Sequence, residues 1–215
     1  MITFCITSCG RWKLLEQTLD SFLKLNMFPI EKFILNEDSG DTGIVKRILD
    51  KYGDKFHIIR SPKNQGLLKS ADNLMSLVDT PYVFWAEDDW LFQGNSNFIQ
   101  ESLQILSTRE DIHQVWIRSG IPKDWLETED LGGFRMVKDC HFGDWCGFSF
   151  NPGLRRLRDY KIMFPQGYNA LNTHGTNSAL NEHECNQVAS TFGYRAAILN
   201  NPSCQHIGEG KSTYK

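Results

Sequence analysis

Apolar and polar positions in the first half of the chain change period at short intervals. Residues 2–7 form an apolar, β-prone run. Residues 12–25 then place Leu15, Leu19, Phe22 and Leu23 at helical spacing on one face. Residues 32–35 read as a second strand, 44–52 as a helix, 56–60 as a third strand and 68–78 as another helix. The run 81–86, Pro-Tyr-Val-Phe-Trp-Ala, is nearly continuously apolar, the pattern of a strand buried on both faces of a parallel sheet. A helix over 97–106 and a short strand over 115–118 follow. Strands alternating with helices predict an α/β fold whose mostly parallel sheet is built with right-handed crossovers.

The rhythm breaks after residue 118. Residues 119–178 are rich in Gly, Trp, Phe and Asn and show little periodicity. A helix resumes at about 181–192 and stops at Gly193, a natural C′ position. Residues 194–199 read as a last strand. No repeat or linker divides the chain, so one domain over 1–215 is expected, with a regular first half and an irregular second half.

Composition narrows the function classes. The 215 residues carry a net charge of −3, which gives no footprint for a polyanion and argues against nucleic acid as the main partner. No apolar run approaches the roughly eighteen residues of a membrane span. The first residues enter a strand without a basic leader, so a cytoplasmic location is expected. Six cysteines (Cys5, Cys9, Cys140, Cys146, Cys185, Cys204) make no C-x-x-C pair and read as buried reduced thiols.

The chemistry gathers at the ends of the early strands. The fourth strand runs straight into Glu87-Asp88-Asp89. Ligands of open α/β sheets bind outside the carboxyl ends of such strands. Three clustered carboxylates repel one another and are costly to desolvate without a cation, so this is a candidate platform for a divalent metal; an acidic surface turn is the plain alternative. The first strand ends in Thr7-Ser8-Cys9-Gly10-Arg11, and the second in Glu37-Asp38, acids able to accept hydrogen bonds from a uracil N–H or from ribose hydroxyls. The third gives Asn64-Gln65-Gly66, with Lys69, Ser70 and Asn73 on the next helix. Hydroxyls, acids, a Gly turn, a Lys and a metal platform in this order suit a nucleoside diphosphate.

These elements resemble the GT-A (Rossmann-like) glycosyltransferases of family 2. The resemblance rests on the small-residue turn Ile6-Thr7-Ser8-Cys9-Gly10-Arg11 and on Glu37-Asp38-Ser39-Gly40. It rests also on the Asn64-Gln65-Gly66 element running to Asn73, and on Glu87-Asp88-Asp89 in place of the usual D-x-D. An EDD version occurs in some N-acetylglucosaminyltransferases of the same fold. The likeness covers residues 2–92 well, fades through 119–178 and returns near 180–208. It implies a nucleotide-sugar-binding half over 1–118 and an acceptor-binding, closing half over 119–215. It also implies a divalent metal, Mn2+ or Mg2+, a UDP-sugar donor, and a glycan or lipid-linked glycan acceptor met without a transmembrane segment, with peripheral membrane contact open.

Carried over residue by residue, the resemblance places Thr7, Arg11 and Asp38 at the nucleoside end of the donor, with Lys69 or Asn73 near ribose or diphosphate. Asp89 would touch the metal directly, with Glu87 and Asp88 acting through water or on the ribose. His206, after the last strand, would be a further metal ligand, since imidazole suits Mn2+. Lys211, in the tail, would close on phosphate. The family's late-helix acid falls at Glu182, with Glu184 two residues on. One of them would deprotonate the acceptor in an inverting displacement. They sit about 200° apart on a helix, so only one faces the site, and Glu182 is preferred. An acid-rich helix N-terminus favoured by the macrodipole is the plain alternative.

His141, Trp145 and residues 148–153 fall in the expected acceptor half, and Trp125 and Trp145 read either as sugar-stacking or as core aromatics. The run Arg155-Arg156-Leu157-Arg158-Asp159 reads as a solvated helix face, or as a surface meeting an anionic acceptor. Two rival functions stand beside this reading. The chain could bind nucleotide sugars without turnover. Alternatively, Cys5 and Arg11 satisfy the C-x5-R spacing of cysteine phosphatases, although Trp12 stands where those enzymes want Ser or Thr.

Overall fold

The computed structural model describes residues 1–120, 126–140, 147–175 and 177–210, with the backbone alone at 126–127 and 138–140. In chain order the elements are β1 Ile2–Ser8, α1 Trp12–Leu25, β2 Lys32–Glu37, α2 Thr42–Tyr52, β3 His57–Arg60, α3 Leu67–Met75, β4 Tyr82–Glu87, β5 Trp90–Phe92, α4 Phe98–Thr108 and β6 Ile112–Trp116. There follow β7 Leu126–Asp130, β8 Phe134–Cys140, β9 Gly153–Arg156, α5 Leu157–Met163, α6 Ser178–Thr191, β10 Arg195–Leu199 and β11 Cys204–His206. A nine-stranded sheet runs in the order β3-β2-β1-β4-β9-β6-β10-β8-β7, and β5 pairs with β11 beside it. This is the α/β, GT-A-like architecture the alternating pattern predicts.

Alternation along β1 explains the two layers. Ile2, Phe4 and Ile6 face a core shared with Leu15, Leu19 and Phe22 of α1, Ile44 and Ile48 of α2, and Phe98 and Ile105 of α4. Cys5 points the other way, with Ile34, Val83 and Trp85, against Leu67, Leu68, Ala71 and Leu74 of α3. Phe4, Phe22, Phe84 and Phe92 interlock, with the Phe4 and Phe22 rings 4.3 Å apart. None of the described helices is long and apolar enough to cross a membrane.

The second half departs from expectation. β9 wedges antiparallel between β4 and β6, where the sequence pattern shows no strand. Its charges hid it, because Arg155 and Arg156 are buried rather than solvated. The Arg156 guanidinium donates to the carbonyls of Leu106, Arg109, Glu110 and Ile112 and to the Asp159 carboxylate, 2.6 Å from Nε. Buried charge is tolerable only with such complete pairing. Arg158 alone of the three is exposed, and it pairs with Glu110. Gly153 opens β9 because a Cβ there would stand 2.3 Å from the Val115 carbonyl oxygen. β7, β8, the short β5–β11 pair and α5 were likewise unmarked by periodicity.

Candidate active site

The parallel registers bring the carboxyl ends of β1, β2 and β4 to one edge, pairing Ser8 with Glu37 and Thr7 with Glu87. Glu87, Asp88 and Asp89 form the tight turn between β4 and β5. The turn is tied down by the Trp90 N–H, which donates to Thr18 Oγ1 of α1 at 3.1 Å.

Asp88 is the most enclosed of the three acids' contacts. Its carboxylate accepts from the Ser8 hydroxyl at 3.0 Å, the Cys9 N–H at 3.4 Å and Arg11 Nε at 3.2 Å, and it also pairs with Arg11 Nη2. Burial pushes Asp88 up to about 6, against the opposing pull of Arg11. Arg11 reaches Asp89 as well, with Nη1 2.9 Å from Oδ2. Glu87 is raised well above the ordinary carboxylate range by burial and then by the nearby charges of Asp89, Glu182 and Asp88. Asp89 goes the other way. Burial alone would raise it, but contacts with His206 and Arg11 hold it below the usual value.

His206 arrives through the β5–β11 pair, whose register sets it opposite Trp90. Its Nε2 lies 3.3 Å from Asp89 Oδ2. The Ile207 N–H donates to the Asp89 carbonyl at 2.9 Å. Gly208 then passes so close that a Cβ would stand 2.4 Å from Asp89 Oδ2.

The nucleoside-side candidates are distributed more widely. Thr7 is buried at the end of β1. Glu37 accepts from the Gly10 and Ser39 N–H groups, both at 3.0 Å, and so ties the β1 and β2 tips together. Asp38 Oδ2 accepts from Gln65 and Gly66 N–H at 2.9 and 3.0 Å, while its buried Oδ1 has no hydrogen-bond partner among the described residues. An unsatisfied buried acceptor is costly, and it is an opening for a ligand donor. Lys69 and Asn73 line a groove of about 320 Å³ between β3 and α3, with Arg60, Ser61 and Gln65. Asn73 donates to Asn36 and Gln65 side chains there, and neither residue bonds to the acidic turn. Lys211, His141, Trp125 and Trp145 lie outside the described residues.

From the opposite side α6 contributes Glu182. Its Oε2 accepts from the Phe150 N–H at 2.8 Å and the Ser149 hydroxyl at 3.2 Å. Burial raises its pKa, opposed by those two hydrogen bonds and by Arg155 and Arg118. Glu184, two residues on, points elsewhere and pairs at the surface with His174 at 3.2 Å. Arg118 stands among these acids with its guanidinium 5.1 Å from the Trp90 ring centroid. Sequence reasoning missed it, although its place at the tip of an expected strand was a signal. Ser149 lies in the 148–153 stretch expected on the acceptor side, and Gln114 gave no signal.

The C-x5-R reading fails on geometry. Cys5 is fully buried in the middle of β1, burial pushes its thiol far up, and Arg11 is bonded to Asp88. The site therefore holds a protonated thiol and no phosphate cradle. Cys5, Cys9, Cys185 and Cys204 are all buried.

Asp89 and His206 suit a divalent metal as a convergent oxygen and nitrogen donor pair. Among the described residues no group of three His, Cys, Asp or Glu side chains is arranged to hold an ion. Mg2+ is commonly held by one or two protein carboxylates, with substrate phosphates and water completing its shell.

Comparison with known proteins bears on the whole site. The sequence model of Glycosyl transferase family 2 matches residues 3–183. No curated protein matches the chain in sequence. Among solved structures, S. aureus TarS 1-349 in complex with UDP-GlcNAc superposes with a TM-score of 0.66 at 13% identity, over 98% of this chain and 61% of that one. The mannosyltransferase PcManGT from Pyrobaculum calidifontis, in complex with GDP-Man and Mn2+, superposes with a TM-score of 0.65 at 14% identity, over 99% and 58%. At such identities the likeness speaks for the fold, and the chain spans about three fifths of each of these proteins.

Proposed function

The chain belongs to glycosyl transferase family 2, and from that membership we propose that it transfers a sugar from a nucleotide-diphosphate sugar to a hydroxyl group of a glycan or lipid-linked glycan, inverting the anomeric carbon. The observation that carries this reading is the convergence of Glu87, Asp88, Asp89 and His206 with Glu182, on an element about ninety residues away, at one sheet edge. UDP is the expected nucleotide. The structural neighbours, which include complexes with UDP-GlcNAc and GDP-Man, support the donor class.

In this reading Asp38 Oδ1 accepts from the nucleoside, and Thr7 lines the same end. Arg11, held by Asp88 and Asp89, keeps a fixed positive charge beside the diphosphate. A divalent ion held by Asp89 and His206 would neutralise charge developing on the departing diphosphate. Glu182 takes the proton from the acceptor hydroxyl as its oxygen bonds to the anomeric carbon and the bond from that carbon to the diphosphate breaks. A raised pKa brings this carboxylate closer to neutral pH and makes it a stronger base. The first half of the chain would thus serve the donor and the second half the acceptor.

Calorimetric titration with UDP and GDP, with and without Mn2+, tests the donor site. Mn2+-dependent binding that is lost in Asp89→Ala is expected. Binding of neither nucleotide under either condition would overturn the reading.

A further inference from the structure

The Glu182 carboxylate is held asymmetrically. Oε2 takes both of its hydrogen bonds, from the Phe150 N–H and the Ser149 hydroxyl, and Oε1 takes none among the described residues. The Ser149 hydroxyl is itself oriented. Its oxygen accepts the Asn151 N–H at 3.1 Å, so its proton is directed at Glu182. The backbone of Ser149 is fixed on both sides by the buried Gln114 amide. Gln114 Nε2 donates to the Ser149 carbonyl at 2.8 Å, and Gln114 Oε1 accepts the Ser149 N–H at 3.3 Å. Arg155 donates to the same carbonyl from a guanidinium packed over the rings of Trp85, Phe148 and Phe150. Ser149, Gln114 and Arg155 are all almost fully buried, so none of these bonds competes with solvent.

Resting on the reading of Glu182 as the acceptor's base, we propose that Ser149 is a positioning residue that anchors Glu182 Oε2 and leaves Oε1 as the proton-accepting oxygen, with Gln114 and Arg155 locking Ser149 in place. A carboxylate with one oxygen tethered presents the other in a narrow set of directions, which is what a base needs for in-line proton transfer. The tether also favours the charged form, because the hydroxyl bonds more strongly to a carboxylate oxygen than to the carbonyl oxygen left when Oε1 is protonated. The charged groups around Glu182 are Glu87 on β4, Arg118 after β6 and Arg155 on β9, with the Cys185 thiol on α6 itself. None of these changes in a Ser149 variant.

The test is carbon-detected NMR titration of the full chain labelled at the glutamate carboxyl carbon. The Glu182 signal is assigned by its loss in Glu182→Gln. Ser149→Ala is expected to move the Glu182 midpoint up by about one to two pH units, the size of one lost hydrogen bond to a charged acceptor. Ser149→Thr, which keeps the hydroxyl, is expected to hold the wild-type midpoint. If Ser149→Ala does not fold, Ser149→Cys, a far weaker donor, is read in the same way. An unmoved midpoint in a folded Ala or Cys variant would overturn the proposal. Separately, release of nucleoside diphosphate from UDP-GlcNAc or GDP-mannose is followed in Glu182→Gln. A wild-type rate there would sink the base reading while leaving the Ser149 anchor as measured.

Discussion

Gly208→Ala is a small change at a site with no room for it. The added methyl would stand 2.4 Å from Asp89 Oδ2, 2.7 Å from its Cβ and 2.8 Å from its Cγ, about one ångström short of the 3.4 Å at which ordinary contact begins. The obstructed group cannot swing aside freely, because Asp89 Oδ2 is also held by Arg11 at 2.9 Å and His206 at 3.3 Å. Either the carboxylate or the chain after His206 must move by about 1 Å. Relieving such an overlap typically costs about 1–3 kcal/mol of stability. Metal bonds of about 2.0–2.2 Å do not survive an ångström of displacement unchanged. The variant should therefore lose at least about tenfold in Mn2+-dependent nucleotide affinity, or about 1.4 kcal/mol, and change little without metal. Calorimetry with UDP or GDP and Mn2+ measures this, with thermal melting to follow the fold. Unchanged affinity and unchanged melting together would refute the close approach of Gly208 to Asp89 and the ligand assignment built on it.

Three further outcomes are expected. Glu182→Gln should keep nucleoside diphosphate binding and lower transfer by about 10²–10⁴-fold, whereas Glu184→Gln, whose partner is the surface His174, should stay near wild type; a reversed pattern in the same turnover assay would exchange their roles. Buried His113, pushed down to about 3 by desolvation, contributes stability that is fully present above its ordinary 6.5 and is lost as pH falls toward 3. Denaturant melts should show a loss of about 1.4 kcal/mol per pH unit below 6.5 that His113→Phe abolishes, and an equal acid slope in that variant would contradict the assignment. Asp72 accepts from the Tyr168 and Asn169 N–H groups at 2.7 and 2.9 Å and from the Tyr160 hydroxyl at 3.2 Å, so Asp72→Ala should cost about 2–4 kcal/mol. A melting temperature within a degree of wild type would show that those donors find other partners.

Local patterning was enough to mark out β1 to β4 and α1 to α4. There β1 and most of β4 are buried on both faces and each helix on one, so burial is written as period in the residues themselves. It also located Glu87-Asp88-Asp89 at a strand end, because the apolar run stops there. What periodicity does not carry is pairing between distant segments. β9 bears two arginines, whose burial rests on the carbonyls of Leu106, Arg109, Glu110 and Ile112 for Arg156 and on the Ser149 carbonyl for Arg155. Arg11, read as a residue of the nucleoside end, is drawn to Asp88 and Asp89 by a 77-residue loop closure that no local window contains. His206 reaches Asp89 only because three residues of β11 pair with β5. Glu182 and Glu184 lie two residues apart on one helix, and only the resemblance favoured Glu182. The fold separates them, since one side of α6 packs against residues 149–150 and the other meets solvent, and burial with directed hydrogen bonds belongs to that packing alone.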